Sequence, residues 1–366
     1  MSRRCRWLAS WRESVEKPIF YHIVSRVVER RFAFGSEEKE KFRTLMRMQE
    51  KFTGCRVVSY CLMSNHFHLL LEVPPMVEGG LTDDTLLSRL GAIYSEAFVG
   101  GVAKELVDAR SAIYVVETGM NEAVAAIHQR FSYRMHDLGE FMKGLLQRFT
   151  QWFNRAHTRT GRLWEDRFKS VIVEDGAAAR VICAYIDLNP VRAGIVSDPA
   201  DYRWSSYGEA IGGGAKGNGK TARAGLVRAL KAHQGVAADA DLWANGVSRE
   251  YRKLLMAGAI GKSSESVSQD GSLTTKVLRK GISKDEAERG REKDGEIPLG
   301  KMLRCRIRYF TDGAVIGSRS FVNEAFARSR ERFGGKRKDG ARRMKGAAGA
   351  ASGRIWSLRD LRKGVI

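Results

Sequence analysis

The run Ser64-Asn65-His66-Phe67-His68-Leu69-Leu70-Leu71-Glu72-Val73 sets how the rest of the chain is read. Its second half is apolar and β-prone, which predicts a strand. Residues i and i+2 of a strand share a face about 6.6 Å apart. His66 and His68 therefore point one way, while Phe67 turns to the opposite face and a core. Two imidazoles converging from one rigid strand are two legs of a metal site. A surface pair on an edge strand would carry the same letters, so a partner elsewhere has to decide.

That partner is Ala184-Tyr185-Ile186-Asp187-Leu188-Asn189-Pro190. From Ala177 to Leu188 apolar residues recur at helical spacing and stop at a proline, which puts Tyr185 on the last turns of a helix. Asn189 lies four residues on and shares its helical face. A phenol and an amide oxygen side by side can be turned towards one metal-bound phosphate.

Working outward, the pattern predicts a strand near 18–27, a helix near 36–53, and strands near 55–63 and 66–73. Arg148 to His157 completes a basic amphipathic helix with Phe149, Trp152 and Phe153 on its apolar side. Phe168 to Val173 reads as a further strand before the tyrosine helix. The order β-α-β-β-α-β-α is the split β-α-β layout. Residues 77–139 exceed one crossover and read as a mainly helical insertion.

Five motifs occur in order: Tyr21-His22-Ile23-Val24-Ser25-Arg26, Cys61 to Leu70, Gly161-Arg162-Leu163-Trp164-Glu165-Asp166-Arg167-Phe168-Lys169-Ser170, Tyr185 to Gly194, and Asp201-Tyr202-Arg203-Trp204-Ser205-Ser206-Tyr207. Over roughly residues 18–208 the chain resembles the single-tyrosine HUH transposases, in particular the REP-associated tyrosine transposases of the IS200-like superfamily. His66-Phe67-His68 is the histidine–hydrophobe–histidine motif itself. The resemblance implies an α+β chain: a ferredoxin-like antiparallel sheet with helices on one face, a helical insertion, and outside the resemblance a basic C-terminal accessory region. It also implies a DNA nickase and strand transferase, acting on single-stranded or hairpin DNA through a 5′-phosphotyrosine intermediate with a free 3′-OH on the other end. Tyr185 would be the nucleophile. His66, His68 and Asn189 would hold the divalent ion, and imidazole with oxygen ligands suits Mg²⁺ or Mn²⁺. At the position of Asn189 several relatives carry Gln, and the REP-associated branch carries Asn. The rival reading is a catalytically silent DNA-binding protein or regulator derived from a transposase. Relatives include both dimers and monomers, so a homodimer and a monomer both stay open.

The formal net charge is +21. Residues 211–366 hold 34 Lys and Arg against 16 Asp and Glu, and residues 1–210 the remaining 29 against 26. The first half is nearly neutral and the second strongly basic, which points to a polyanionic partner, above all nucleic acid. Arg26, Arg148, Arg155, Arg167, Lys169 and Arg192 are candidate phosphate contacts. For His22 a structural or DNA-contacting role is expected. Trp164 and Phe168 suit base stacking, although packing suits Phe168 better.

No stretch approaches the roughly 20 apolar residues of a membrane span. The basic start, Met1 to Ser14, lacks the apolar core of a signal. The five cysteines are odd in number and scattered, as expected of reduced thiols in a cytoplasmic, nucleoid-associated protein. Cys55 and Cys61 do not join the histidines in a zinc site, because one strand would hold them about 20 Å apart.

Residues 1–208 thus read as the catalytic domain, 209–298 as a Gly-rich linker and partly ordered polar region, and 299–366 as a basic accessory module contacting DNA. Gly214 to Thr221 spells the phosphate-loop pattern G-x-x-x-x-G-K-T. No β-branched strand delivers it, so it reads as a chance match. Leu303 to Tyr309 alternates strictly, with Arg304, Arg306 and Arg308 on one face of an expected strand. Asp312-Gly313 signals a turn, Ala314 to Ile316 a second strand, and Phe321 to Phe333 a helix.

Overall fold

The computed structural model describes residues 8–9, 17–75, 78–111, 122–213, 217–231, 240–244, 246–259, 262–267, 273–279, 308–311, 313–333, 335, 337–343 and 355–359. The N-terminal part runs β1 (Ile19–Arg26), α1 (Ser36–Thr53), β2 (Arg56–Leu62), β3 (His66–Val73), α2 (Asp83–Leu90), α3 (Glu96–Ser111), α4 (Glu122–Ser132), α5 (Leu138–Ala156) and β4 (Lys169–Val173). There follow α6 (Ala177–Asp187), α7 (Asn189–Arg192), α8 (Ser206–Gly212), α9 (Asn218–Lys231), α10 (Val247–Ala259), β5 (Lys262–Val267) and β6 (Leu273–Arg279). The last elements are α11 (Arg308–Thr311), β7 (Gly313–Gly317), α12 (Arg319–Ala327), β8 (Arg342–Arg343) and β9 (Trp356–Arg359).

β1 is mainly apolar on both faces and lies inside the sheet between β3 and β4, as a strand covered from both sides should. The sheet runs β2-β3-β1-β4-β7-β9-β8. Every pair is antiparallel except β4 with β7. Its first four strands carry the expected split β-α-β order, and β5 and β6 pair separately as a hairpin.

Alternation along the strands sends two sets of side chains into two cores. Tyr21, Ile23, Phe67, Leu69 and Ile172 pack under α1 and α5 with Phe42, Met46, Phe141 and Phe149. Phe20, Leu70, Val171 and Val173 pack under α6, α9 and α10 with Ile182, Leu226, Leu230 and Leu255. The two crossover helices do share one face, as the layout implies. The other face is also covered by helices, so "helices on one face" needs correcting: strands apolar on both sides cannot leave a face to water. The insertion is helical as expected, and α2, α3 and α4 close a third small core with Phe52.

Three readings of the C-terminal third differ from the structure. Residues 218–231, read as linker, form α9, whose Gly225 lies close enough to β2 that a Cβ would come 2.7 Å from the Val58 carbonyl oxygen. Small residues here serve close packing rather than chain freedom. Of the strand expected at 303–309, residues 303–307, with Arg304 and Arg306, lie outside the described residues, and a helical turn begins at Arg308. The helix expected over 321–333 stops at Ala327 and gives way to a 3₁₀ turn at Arg330–Arg332. β7 falls where a strand was expected. It pairs with β4 rather than with a neighbour in sequence.

Candidate active site

Register fixes which side chains meet. Across β3, β1 and β4, His68 is opposite Val24, and Val24 opposite Lys169; His66 is opposite Arg26. Directly paired residues share a face, so His66, His68, Arg26 and Lys169 occupy one face at one end of the sheet. His22 lies two residues back along β1 on that face and is fully buried. Burial pulls the His22 imidazole down to about 4. Burial, then the charge of Arg26, does the same for His66, also to about 4. His68 is held well below the usual range, first by burial and then by His22 and His66. All three rings are neutral near pH 7, the form that ligates metals.

The hydrogen bonds then assign the tautomers. His22 Nδ1 lies 2.8 Å from the Phe310 carbonyl oxygen. A carbonyl only accepts, so Nδ1 carries the proton and the neutral ring keeps a lone pair on Nε2. His22 Nε2 is 3.1 Å from His68 Nδ1, so His68 donates from Nδ1 and its own Nε2 is left with a lone pair. His66 Nδ1 lies 2.6 Å from Asn65 Oδ1, while Asn65 Nδ2 donates to the Arg30 carbonyl at 3.0 Å. His66 therefore also carries its proton on Nδ1 and a lone pair on Nε2. In both rings the hydrogen bond at Nδ1 leaves the lone pair on Nε2, the arrangement that metal-binding histidines usually show.

Tyr185 arrives from α6, which starts at Gly176 in a positive-φ conformation (78°) and ends before Pro190. Its ring stands edge-on to His68 and His22, at centroid distances of 5.6 and 5.8 Å. Phe310 packs on it at 4.6 Å, and the Arg192 guanidinium carbon lies 4.9 Å from its centroid, within cation–π range. The side chain is 2 % exposed. Asp187, on the same helix, is fully buried and accepts from the Tyr251 hydroxyl at 2.6 Å and the Tyr207 amide at 3.0 Å. This pins α6 to α8 and α10. Burial pushes the Asp187 carboxyl up to about 7.

Asn189 opens α7 directly after the tyrosine helix. Its amide nitrogen donates to the Tyr185 and Ile186 carbonyls at 3.0 and 3.2 Å, at the end of the helix, where carbonyls run short of intrahelical donors. Only the amide oxygen is left for an ion. Among the described residues no group of three His, Cys, Asp or Glu has the geometry of a metal site. Nε2 of His66, Nε2 of His68 and the Asn189 amide oxygen are the donor atoms these residues would offer a divalent ion.

Of the basic residues singled out, Arg26, Lys169 and Arg192 are gathered around the histidines, and Arg167 is exposed just before β4. Arg148 and Arg155 ride on α5, which covers the opposite face, so the structure does not bring them in. Arg308 starts α11. Trp164 is also not a stacking platform: it packs on Phe34, Phe67 and Phe149, and its indole N–H donates to Thr150. Phe168 is buried in the same core. The motif Asp201 to Tyr207 is architectural, since Leu62 and Tyr60 of β2 bond to Trp204 and Ser206. Sequence reading missed what Asn65 and Phe310 do, whereas His22, expected to be structural or to contact DNA, is the buried hydrogen-bond partner of His68. Asn65 sat inside a quoted motif, but a backbone carbonyl leaves no mark on sequence.

The fold and site define an α+β protein in which paired imidazoles and a phenol converge at one basic end of an antiparallel sheet. Residues 16–79, which carry β1 to β3 and both histidines, match the model of the family described as IS200-like transposases. The match ends before Tyr185. It supports a transposase-type function on DNA. A solved structure of a REP-associated tyrosine transposase bound to a REP hairpin is a distant likeness, at 11 % identity and a TM-score of 0.34, covering 60 % of this chain and 89 % of that one. No curated protein matches the chain. No helix among the described residues is long and apolar enough to cross a membrane.

Proposed function

We propose that the chain is a metal-dependent endonuclease and strand transferase for single-stranded DNA, acting on hairpin-forming repeats. The observation that carries this is the Tyr185 ring set edge-on against His68, 5.6 Å between centroids, within one chain. Tyr185 Oη attacks a phosphorus in line; the P–O3′ bond breaks, the phenol loses its proton, and the leaving 3′-oxygen gains one. The product is a 5′-phosphotyrosine and a free 3′-OH, and a later 3′-OH reverses the step without ATP. Mg²⁺ or Mn²⁺ held by His66 and His68, with the Asn189 oxygen, would withdraw charge from the phosphate. Arg26 and Lys169 orient the strand from the same face. Because one chain supplies both phenol and imidazoles, a monomer is the expected active unit.

Incubation with tailed hairpins from the flanking genome and Mn²⁺ tests this. A covalent protein–DNA adduct is expected for wild type and is lost in Tyr185→Phe, while DNA binding survives. The second reading, a silent DNA-binding protein, draws on the burial of Tyr185 at 2 % exposure. It wins if wild type binds these hairpins and never forms the adduct.

A further inference from the structure

The turn after β1 is unusual in three ways at once. Glu29 and Arg30 are consecutive non-glycine residues at φ of 58° and 55°, a backbone that side chains disfavour. Phe32, two residues on, is 85 % exposed, the most exposed large apolar side chain among the described residues. Arg30 and Arg31 beside it are exposed too, as is Arg26 at the end of β1. Arg31 pairs with Glu29 at 2.5 Å.

This turn is tied to the histidine strand. Val27 N–H donates to the Asn65 carbonyl and Phe34 N–H to that of Ser64, each at 2.9 Å. The Asn65 amide holds the Arg30 carbonyl with its nitrogen and His66 Nδ1–H with its oxygen. A single side chain therefore locks both the metal-facing ring and the turn that presents Phe32. Strain of this kind persists only where the surroundings over-determine it. Here it turns an aromatic ring out to water at a fixed offset from the histidines.

We infer that Phe32 is a stacking platform for an unpaired base of the strand lying across the histidine pair, with Arg26 and Arg30 on the flanking phosphates. The inference rests on the strand-cleavage reading of the site. An aromatic face among arginines is how single strands are gripped without reading their sequence. A base held there registers the strand one turn away from the attacked phosphate.

The test uses the full chain and three probes: tailed hairpins from the flanking genome, the same sequence as fully paired DNA, and poly-dT. Phe32→Ala should weaken binding of tailed hairpin and poly-dT by about 5- to 150-fold, the value of one stacked base. It should leave the salt dependence unchanged, because no phosphate contact is lost. Phe32→Trp should restore affinity. Abasic substitutions scanned along the tail should cost wild type affinity at one position and cost Phe32→Ala nothing further there. Equal binding by Phe32→Ala and wild type overturns the inference, as does an equal loss on tailed and fully paired DNA. An exposed aromatic serving a protein partner would give the first of these results. The adduct assay separates the two readings. An adduct with no Phe32 effect sinks stacking alone; base-specific coupling to Phe32 without any adduct sinks cleavage alone.

Discussion

Replacing His22 by phenylalanine keeps the volume of a fully buried ring and removes both of its hydrogen bonds. The Phe310 carbonyl loses its donor at 2.8 Å, and His68 Nδ1–H loses its acceptor at 3.1 Å. A buried polar group left without a partner costs about 1–3 kcal/mol. The His68 ring is then free to carry its proton on Nε2, the atom that must be bare to ligate. Loss of such an outer hydrogen bond typically weakens metal binding by about 10–100-fold, or about 1.4–2.7 kcal/mol. Calorimetric titration of Mn²⁺ into DNA-free protein reads this directly, with thermal unfolding as the check on the fold. His22→Gln is the matched control: its amide nitrogen can donate to Phe310 and its oxygen accept from His68, so affinity should stay near wild type. If folded His22→Phe binds Mn²⁺ as wild type does, or if His22→Gln falls as far as His22→Phe, the ring does not set the His68 tautomer.

Asp187, with its carboxyl pushed up to about 7 by burial, keeps a proton in the folded state that the unfolded chain loses near pH 4. Its share of stability is therefore full below about pH 4 and falls as pH rises to 7, by at most about 4 kcal/mol at 1.36 kcal/mol per unit. Unfolding free energies of wild type and Asp187→Asn across that range should differ in slope in this sense; parallel profiles would refute it. Gly225→Ala would drive a Cβ to 2.7 and 2.9 Å from the carbonyl oxygens of Val58 and Val57, costing about 1–3 kcal/mol in urea unfolding. Arg228 bridges Glu72 and Asp175 at 2.8 and 3.0 Å. Arg228→Ala should cost about 3 kcal/mol, the low end for a broken buried pair, because Arg56 still reaches Glu72 at 3.0 Å.

Periodicity found β1 to β4, α1, the end of α5 and α6 to within a residue or two, since most of them pair a clear spacing with a nearby Gly or Pro. It also put His66 and His68 on one face, which the cross-strand register bears out. It failed where packing reads letters differently from composition. The glycines and alanines of α9 looked like linker, yet their smallness is what lets the helix sit against β2. The partner of β4 lies about 140 residues downstream, and no local pattern announces a pairing over that distance. The contact that orders His22 comes from a peptide group 288 residues away, whose side chain is irrelevant to the bond.

That last contact sets a schedule. Phe310 follows Tyr185 by 125 residues, about 6–25 s of synthesis at ribosomal speed of about 5–20 residues per second. Until it emerges, the nascent chain holds both imidazoles and the phenol but lacks the acceptor that orders them. The histidine–tyrosine cluster is thus finished only once residue 310 has been made, and a polypeptide interrupted before it is released with that arrangement unset.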